Sequence, residues 1–140
     1  MMPIEDLARD DVVTATPDTL VPALASLMEE EAVGSVVIVD GETPVGIVTD
    51  RDLAIRVLAD GEHPGERTAE DVMTDDLATV EAGVGFYEAA ELMADHGVRR
   101  LPVCEGDTLV GIVTADDLTE LLADEHQQFA SVVQAQRPAY

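Results

Sequence analysis

The feature that most constrains this chain is an internal repeat. The nonapeptide VGIVTDRDL, Val45–Leu53, returns as VGIVTADDL, Val110–Leu118, with two letters changed. Sliding the 140-residue sequence against itself by 65 positions aligns Glu5–Leu53 with Glu70–Leu118 without a gap, and 18 of the 49 pairs are identical. Among them are Thr14 with Thr79, Met28 with Met93, Val33 with Val98 and Asp52 with Asp117. An ungapped match of this length marks a duplicated structural unit. A unit of about 50–60 residues buries little core alone, so the copies are expected to pack face to face as one pseudo-symmetric domain. GEHPGERT, Gly61–Thr68, has the Gly, Pro and charge of a connection. The expected organisation is a first repeat with its lead-in over 1–61, a linker over 62–68, a second repeat over 69–124 and a C-terminal tail over 125–140.

Both copies run through the same periods. Asp11–Thr16 and Asp76–Glu81 read as short extended lead-ins. Leu20, Val21, Leu24, Leu27 and Met28 then fall at helical spacing, as do Phe86, Ala89, Ala90 and Met93. Asp18 is the expected N-cap of the first of these helices, with Pro22 close enough to its start to be tolerated. Ser35–Val39 and Leu101–Cys104 are rich in strand formers, and Asp40-Gly41 and Glu105-Gly106 turn them toward second strands, Val45–Thr49 and Val110–Thr114. Asp50–Ala59 and Ala115–Ala123 return to helical spacing. Past the repeat, Phe129, Val132, Val133 and Gln136 keep a modest apolar edge. That edge fits either a longer last helix packed on a partner subunit or a frayed tail, and Pro138 limits any helix near the end.

Hydrophobic residues make up 46% of the chain, enough for a sizeable core, but aromatics are only 3%, so Val, Leu, Ile, Ala and Met must fill it. No apolar run approaches the roughly 18–20 residues of a membrane span, and the N-terminus lacks the regions of a signal peptide. A soluble, cytoplasmic protein is the expectation. The single cysteine, Cys104, has no partner within the chain and sits in an apolar run, which suits a buried, inert thiol. Thirty Asp and Glu stand against seven Arg and no Lys, a net charge of -23. With so much apolar content this does not signal disorder. It resembles the proteins of salt-accumulating halophiles, since at about 1 M salt the Debye length falls to about 3 Å and self-repulsion is screened. Nucleic acid and acidic membrane surfaces are not expected as partners, since the net charge repels them.

The repeated motif ends in T-x-x-D at a strand-to-helix junction: Thr49 and Asp52, then Thr114 and Asp117. A carboxylate in a first helical turn is favoured by the helix N-terminus and can accept two hydrogen bonds from a ribose diol. The Thr hydroxyl can donate to a phosphate or sugar oxygen. The same four letters also describe a capping arrangement, and the motif alone weighs the two readings evenly. Duplication does not separate them, because a cap would be copied with its helix. Arg51, Arg56, Arg99 and Arg100 cluster around these motifs, where they suit phosphates or neighbouring carboxylates.

These features together resemble the CBS domain: a Thr-bearing lead-in, a helix ending in Met, and the closing VGIVT-x-x-D motif. The tandem pair resembles a Bateman module, from about Ile4 to about Asp124. Two departures stand out. Val37 occupies the position of Pro102 in RLPV, and the second copy reads Ala82-Gly83 where the first has Pro17-Asp18. The resemblance implies a regulatory sensor that binds AMP, ADP, ATP or S-adenosylmethionine between its copies, with no catalytic cofactor. It also implies a homodimer, and an output passed to an unidentified target protein. Thr49, Asp52, Thr114 and Asp117 would meet ribose and phosphate, with Arg51, Arg99 and Arg100 nearby. The base would lie against Val33, Ser35, Val36 and Val37 in copy one and Val98, Arg100, Leu101 and Pro102 in copy two, with Thr14 and Thr79 near base or sugar. Enzyme activity has little support: no glycine-rich phosphate loop and no Ser–His–Asp or Cys–His set is present. A scaffold in which both motifs are only caps is the competing reading.

Overall fold

A computed structural model describes residues 3–136. The first copy contains β1 (Thr14–Ala15), α1 (Val21–Glu31), β2 (Ser35–Asp40), β3 (Thr43–Thr49) and α2 (Asp50–Leu53). α2 widens into a π-helical turn over Ala54–Ala59. A short helix α3 (Ala69–Val72) opens the second copy, followed by β4 (Val80–Glu81), α4 (Phe86–His96), β5 (Arg100–Glu105), β6 (Thr108–Thr114) and α5 (Ala115–Gln136). The architecture is α+β with two three-stranded sheets, ordered β1-β2-β3 and β4-β5-β6. In each sheet the lead-in strand runs parallel to the centre strand and the hairpin partner antiparallel. Even the irregularities are duplicated: both hairpins break register at one place, Ile38/Val39 and Val103/Cys104, which the 65-residue repeat superimposes.

Each copy keeps its own core, and the lead-ins are exchanged between them. Ile4 is fully buried among Val80, Ala89, Met93, Leu101 and Val113 of copy two. Ala69 and Val72 of α3 are buried among Leu24, Val36, Ile38 and Val48 of copy one. Burial of an aliphatic side chain of this size contributes about 1.5–3 kcal/mol, so each lead-in fastens the other copy. The exchange continues along the backbone. Arg9 N–H donates to Ile112 O at 2.9 Å and Ile112 N–H to Arg9 O at 2.9 Å, which adds the first lead-in to the edge of β6. Thr74 makes the same pair with Ile47 on β3, at 3.0 and 3.1 Å. This crossing accounts for the glycine of each VGIVT motif. A Cβ on Gly111 would lie 2.9 Å from Arg9 O, and one on Gly46 3.0 Å from Thr74 O and 2.5 Å from Met73 Sδ.

Two local expectations are corrected, and one left open is decided. α1 is capped by Leu20 rather than Asp18: its first N–H, on Val21, finds Arg67 O at 3.0 Å, so no side-chain cap is needed. Asp18 instead accepts from Thr16 Oγ1 at 2.5 Å. The lead-in strands are shorter than Asp11–Thr16 and Asp76–Glu81, two residues each, because the chain leaves one sheet to cross to the other. The last helix runs on to Gln136 and leaves Leu122, Phe129, Val132 and Val133 exposed, so the described part of the tail is helical; Pro138 lies outside the described residues. Cys104 is buried as expected, and burial pushes its thiol up, with Glu81 and Asp107 adding to the effect. None of the described helices is long and apolar enough to cross a membrane.

Candidate functional site

The two T-x-x-D motifs form closed capping boxes. Asp52 N–H donates to Thr49 Oγ1 at 3.1 Å, and Thr49 N–H donates back to Asp52 Oδ2 at 2.9 Å. Asp117 N–H and Thr114 N–H repeat this with Thr114 Oγ1 and Asp117 Oδ2, at 3.1 and 3.2 Å. The capping reading of the motif is thus realised in both copies. It uses only one oxygen of each carboxylate, and both side chains are mostly covered, 16% exposed for Asp52 and 12% for Asp117. The second oxygens differ. Asp52 Oδ1 has Arg56 Nε at 3.8 Å, while Asp117 Oδ1 accepts from Arg9 Nη2 at 2.9 Å.

A cavity of about 340 Å³ opens beside the second motif and is built from both copies. Copy one supplies Val12 and Val13 of its lead-in, Glu31 and Ala32 at the end of α1, and Val33, Gly34, Ser35 and Val37 leading into and along β2. Copy two supplies Arg100, Ile112, Thr114 and Asp116. Arg9 and Asp11 complete the rim. One wall is therefore aliphatic and the other carries the hydroxyl and charges of the motif, the mixture that small-molecule sites of roughly 300–1,000 Å³ require. The glycine at position 34 keeps the floor open: a Cβ there would stand 3.3 Å from Asp50 Oδ2 and 3.8 Å from Arg100 Nη2.

The sequence-derived candidates divide in three. Thr114 and Arg100 line the cavity, with Val33, Ser35 and Val37. Val36 and Leu101 are fully buried in the cores of copies one and two, on the opposite faces of their strands from the cavity side. Thr14, in β1, and Thr79, just before β4, are exposed, Arg51 is exposed, and Pro102 is buried opposite Ile112. Arg99 pairs with Asp116 at 3.1 Å on the surface, and Arg56 donates to Val72 O at 3.1 Å. Arg9, Asp11 and Glu31 were missed. Arg9 had a visible signal, as one of seven arginines among thirty carboxylates, but only the crossing of the lead-in carries it to copy two. Glu31 reads from sequence as part of a solvated Glu29–Glu31 face.

The positions related to the cavity wall by the repeat are bulkier or differently charged. Arg99 and Arg100 stand for Gly34 and Ser35, Pro102 for Val37, His96 for Glu31 and Arg51 for Asp116. The two clefts of the pseudo-symmetric pair are therefore unlike.

The CBS domain family model matches residues 4–59 and 69–124, which are the two copies described above. The chain belongs to the CBS-domain family. A CBS pair is a regulatory module. The chain is 41% identical over 120 residues to a Methanopyrus kandleri protein of uncharacterised function, covering 84% of itself and 61% of that relative, so it spans less than two thirds of that protein. Over 125 residues it is 33% identical to Hypoxic response protein 1 of Mycobacterium tuberculosis, covering 89% of itself and 87% of the relative. A crystal structure of Hypoxic Response Protein I with two coordinated zinc ions superimposes with a TM-score of 0.78 at 32% identity, over 85% of this chain and 98% of that one. Among the described residues, no cluster of His, Cys, Asp and Glu is arranged to hold a metal. A CBS domain protein of Pyrobaculum aerophilum, solved in complex with AMP, has the same fold at a TM-score of 0.77 and 23% identity, over 84% of this chain and 90% of that one.

Proposed function

We propose that this CBS pair senses an adenosine nucleotide, AMP, ADP or ATP, or a related adenosyl compound, in the cavity between its copies. The observation that carries the reading is the composite wall of that cavity: Val12, Val13, Val33 and Val37 on one side, Thr114 and Arg100 on the other. The base would lie against the valines, the sugar toward Thr114 and Asp117, and the phosphates toward Arg100. The AMP held by the Pyrobaculum protein supports this as a ligand class for the architecture. Any signal requires the ligand to favour one of two conformations, and the first lead-in, which touches both copies and lines the cavity, is the element positioned to carry it. Self-association through the exposed edge of α5 fits the same reading; a Phe129→Glu variant is expected to sediment at a lower mass than the parent protein in high salt.

The closed capping boxes favour a second reading, a scaffold in which both motifs only terminate strands and start helices. Isothermal titration in molar KCl separates the two. The sensor binds at least one of AMP, ADP, ATP, adenosine or S-adenosylmethionine, and Asp117→Ala weakens binding by tenfold or more while Asp52→Ala leaves it nearly unchanged. The scaffold binds none, and both substitutions only lower stability, by about 0.5–2 kcal/mol for a lost cap.

A further inference from the structure

The two capped aspartates differ in one contact that the repeat does not predict. Asp117 Oδ1 is taken by the guanidinium of Arg9, which arrives from the other copy on the exchanged lead-in. The repeat places Thr74 at the position of Arg9, so Asp52 has no such arm. Arg9 also lines the cavity, and its side chain is 64% exposed, so it stands between the open space and the nearly covered carboxylate. Its backbone is fixed on both sides of the peptide by the Ile112 pair, which leaves the side chain as the part free to turn. The charges around it are Asp11, Glu31 and Asp116 on the cavity wall, Arg100 opposite, and Glu120, which with Asp6 and Asp124 borders a separate hollow on the far side of Asp117; Asp117 itself is not on the cavity wall, and Asp116 is already held by Arg99.

We propose that Arg9 is a latch that makes the site selective for phosphorylated ligands. This rests on the nucleotide reading above. Without ligand, Arg9 occupies the one oxygen of Asp117 that the cap leaves over. A neutral nucleoside must break that ion pair to bring its diol to Asp117 and offers the guanidinium nothing in exchange. A ligand bearing phosphate offers a second anion, so Arg9 transfers to it and Asp117 Oδ1 is released to the sugar hydroxyls. Phosphate recognition and sugar recognition are coupled through one side chain, and only in the cavity served by Asp117. Arg100, which makes no ion pair among the described residues, is the second cation on the cavity wall.

The test is calorimetric titration of AMP and adenosine, in molar KCl, into the parent protein, Arg9→Gln and Arg9→Lys. The parent is expected to prefer AMP. In Arg9→Gln, adenosine binds more tightly and AMP more weakly, and the preference falls about tenfold, the worth of one charge-assisted contact. Arg9→Lys keeps most of the preference. Melting curves confirm that the variants fold, since the backbone pair with Ile112 does not involve the side chain. An AMP-to-adenosine ratio unchanged in Arg9→Gln overturns the latch alone. A parent protein that binds neither probe overturns the nucleotide reading and the latch with it.

Discussion

At the scale of single residues, the differences between the copies are the informative positions. α4 ends on Gly97 in the left-handed region, at φ 65°, while the corresponding end of α1 holds Ala32 there at φ 54°. A Cβ in that conformation costs about 1–2 kcal/mol, more than the roughly 0.4–1 kcal/mol of chain entropy that glycine adds to the unfolded state. Ala32→Gly is therefore expected to stabilise by about 0.5–1 kcal/mol, raising Tm by a few degrees in a thermal melt. Ala32 lines the cavity, so the strain is stored at the site. Asp71 gives a pH prediction. The Thr68 backbone N–H, then the Thr68 hydroxyl and Arg67, hold its carboxyl below the ordinary 3.8. A depressed folded value means its stabilisation is present above about pH 4 and is lost as pH falls through the lowered value. The Tm gap between the parent and Asp71→Asn should be widest above about pH 4 and narrow as pH falls through the lowered value; a gap that persists in strong acid would show that the box is not the cause. Thr68 and Asp71 were not legible as a pair, because the repeat puts Pro3 where a second Thr would be needed.

At the scale of elements, the VGIVT motif has two separable jobs. Its glycine admits the crossing lead-in, and its threonine ends the strand with a cap. The sequence alone leaves the Thr and Asp of the motif evenly between ligand and cap and gives the glycine no role, yet Gly111 faces Arg9 O, a main-chain atom that cannot step aside. Gly111→Ala is expected to cost about 1–3 kcal/mol by overpacking and to loosen the Arg9–Ile112 pair, measurable as faster amide exchange at both residues. Gly46→Ala presses on Met73 Sδ as well as Thr74 O, so part of its strain can be relieved by a flexible side chain. The helical and strand periods were readable because each element has one buried face, as in Val21, Leu24 and Met28 of α1. Its cap was not, because the group that satisfies Val21 N–H is a carbonyl distant in sequence, on Arg67.

At the scale of the molecule, 30 acidic residues, seven arginines and a net charge of -23 set the conditions under which the module can work. Four described arginines, Arg9, Arg56, Arg67 and Arg99, already touch carboxylates or carbonyls, so little positive charge is left to offset the carboxylates. Stability is expected to rise with KCl from dilute buffer to about 1 M, and nucleotide affinity with it, because screening relieves both self-repulsion and repulsion of the phosphates. Melts and titrations across a salt series check this; affinity that tightens steadily toward low salt would contradict it.

The sequence by itself determined that there are two copies, which periods they carry, and that each closes on a Thr and an Asp three residues apart, because duplication and burial periodicity are written in local order. Only the tertiary structure decided that the lead-ins trade places, that one cavity draws a wall from each copy, and that Arg9 reaches Asp117. Those are contacts across 103 and 108 residues, Arg9 to Ile112 and to Asp117. They arise from how two surfaces meet, and no spacing within either copy encodes them.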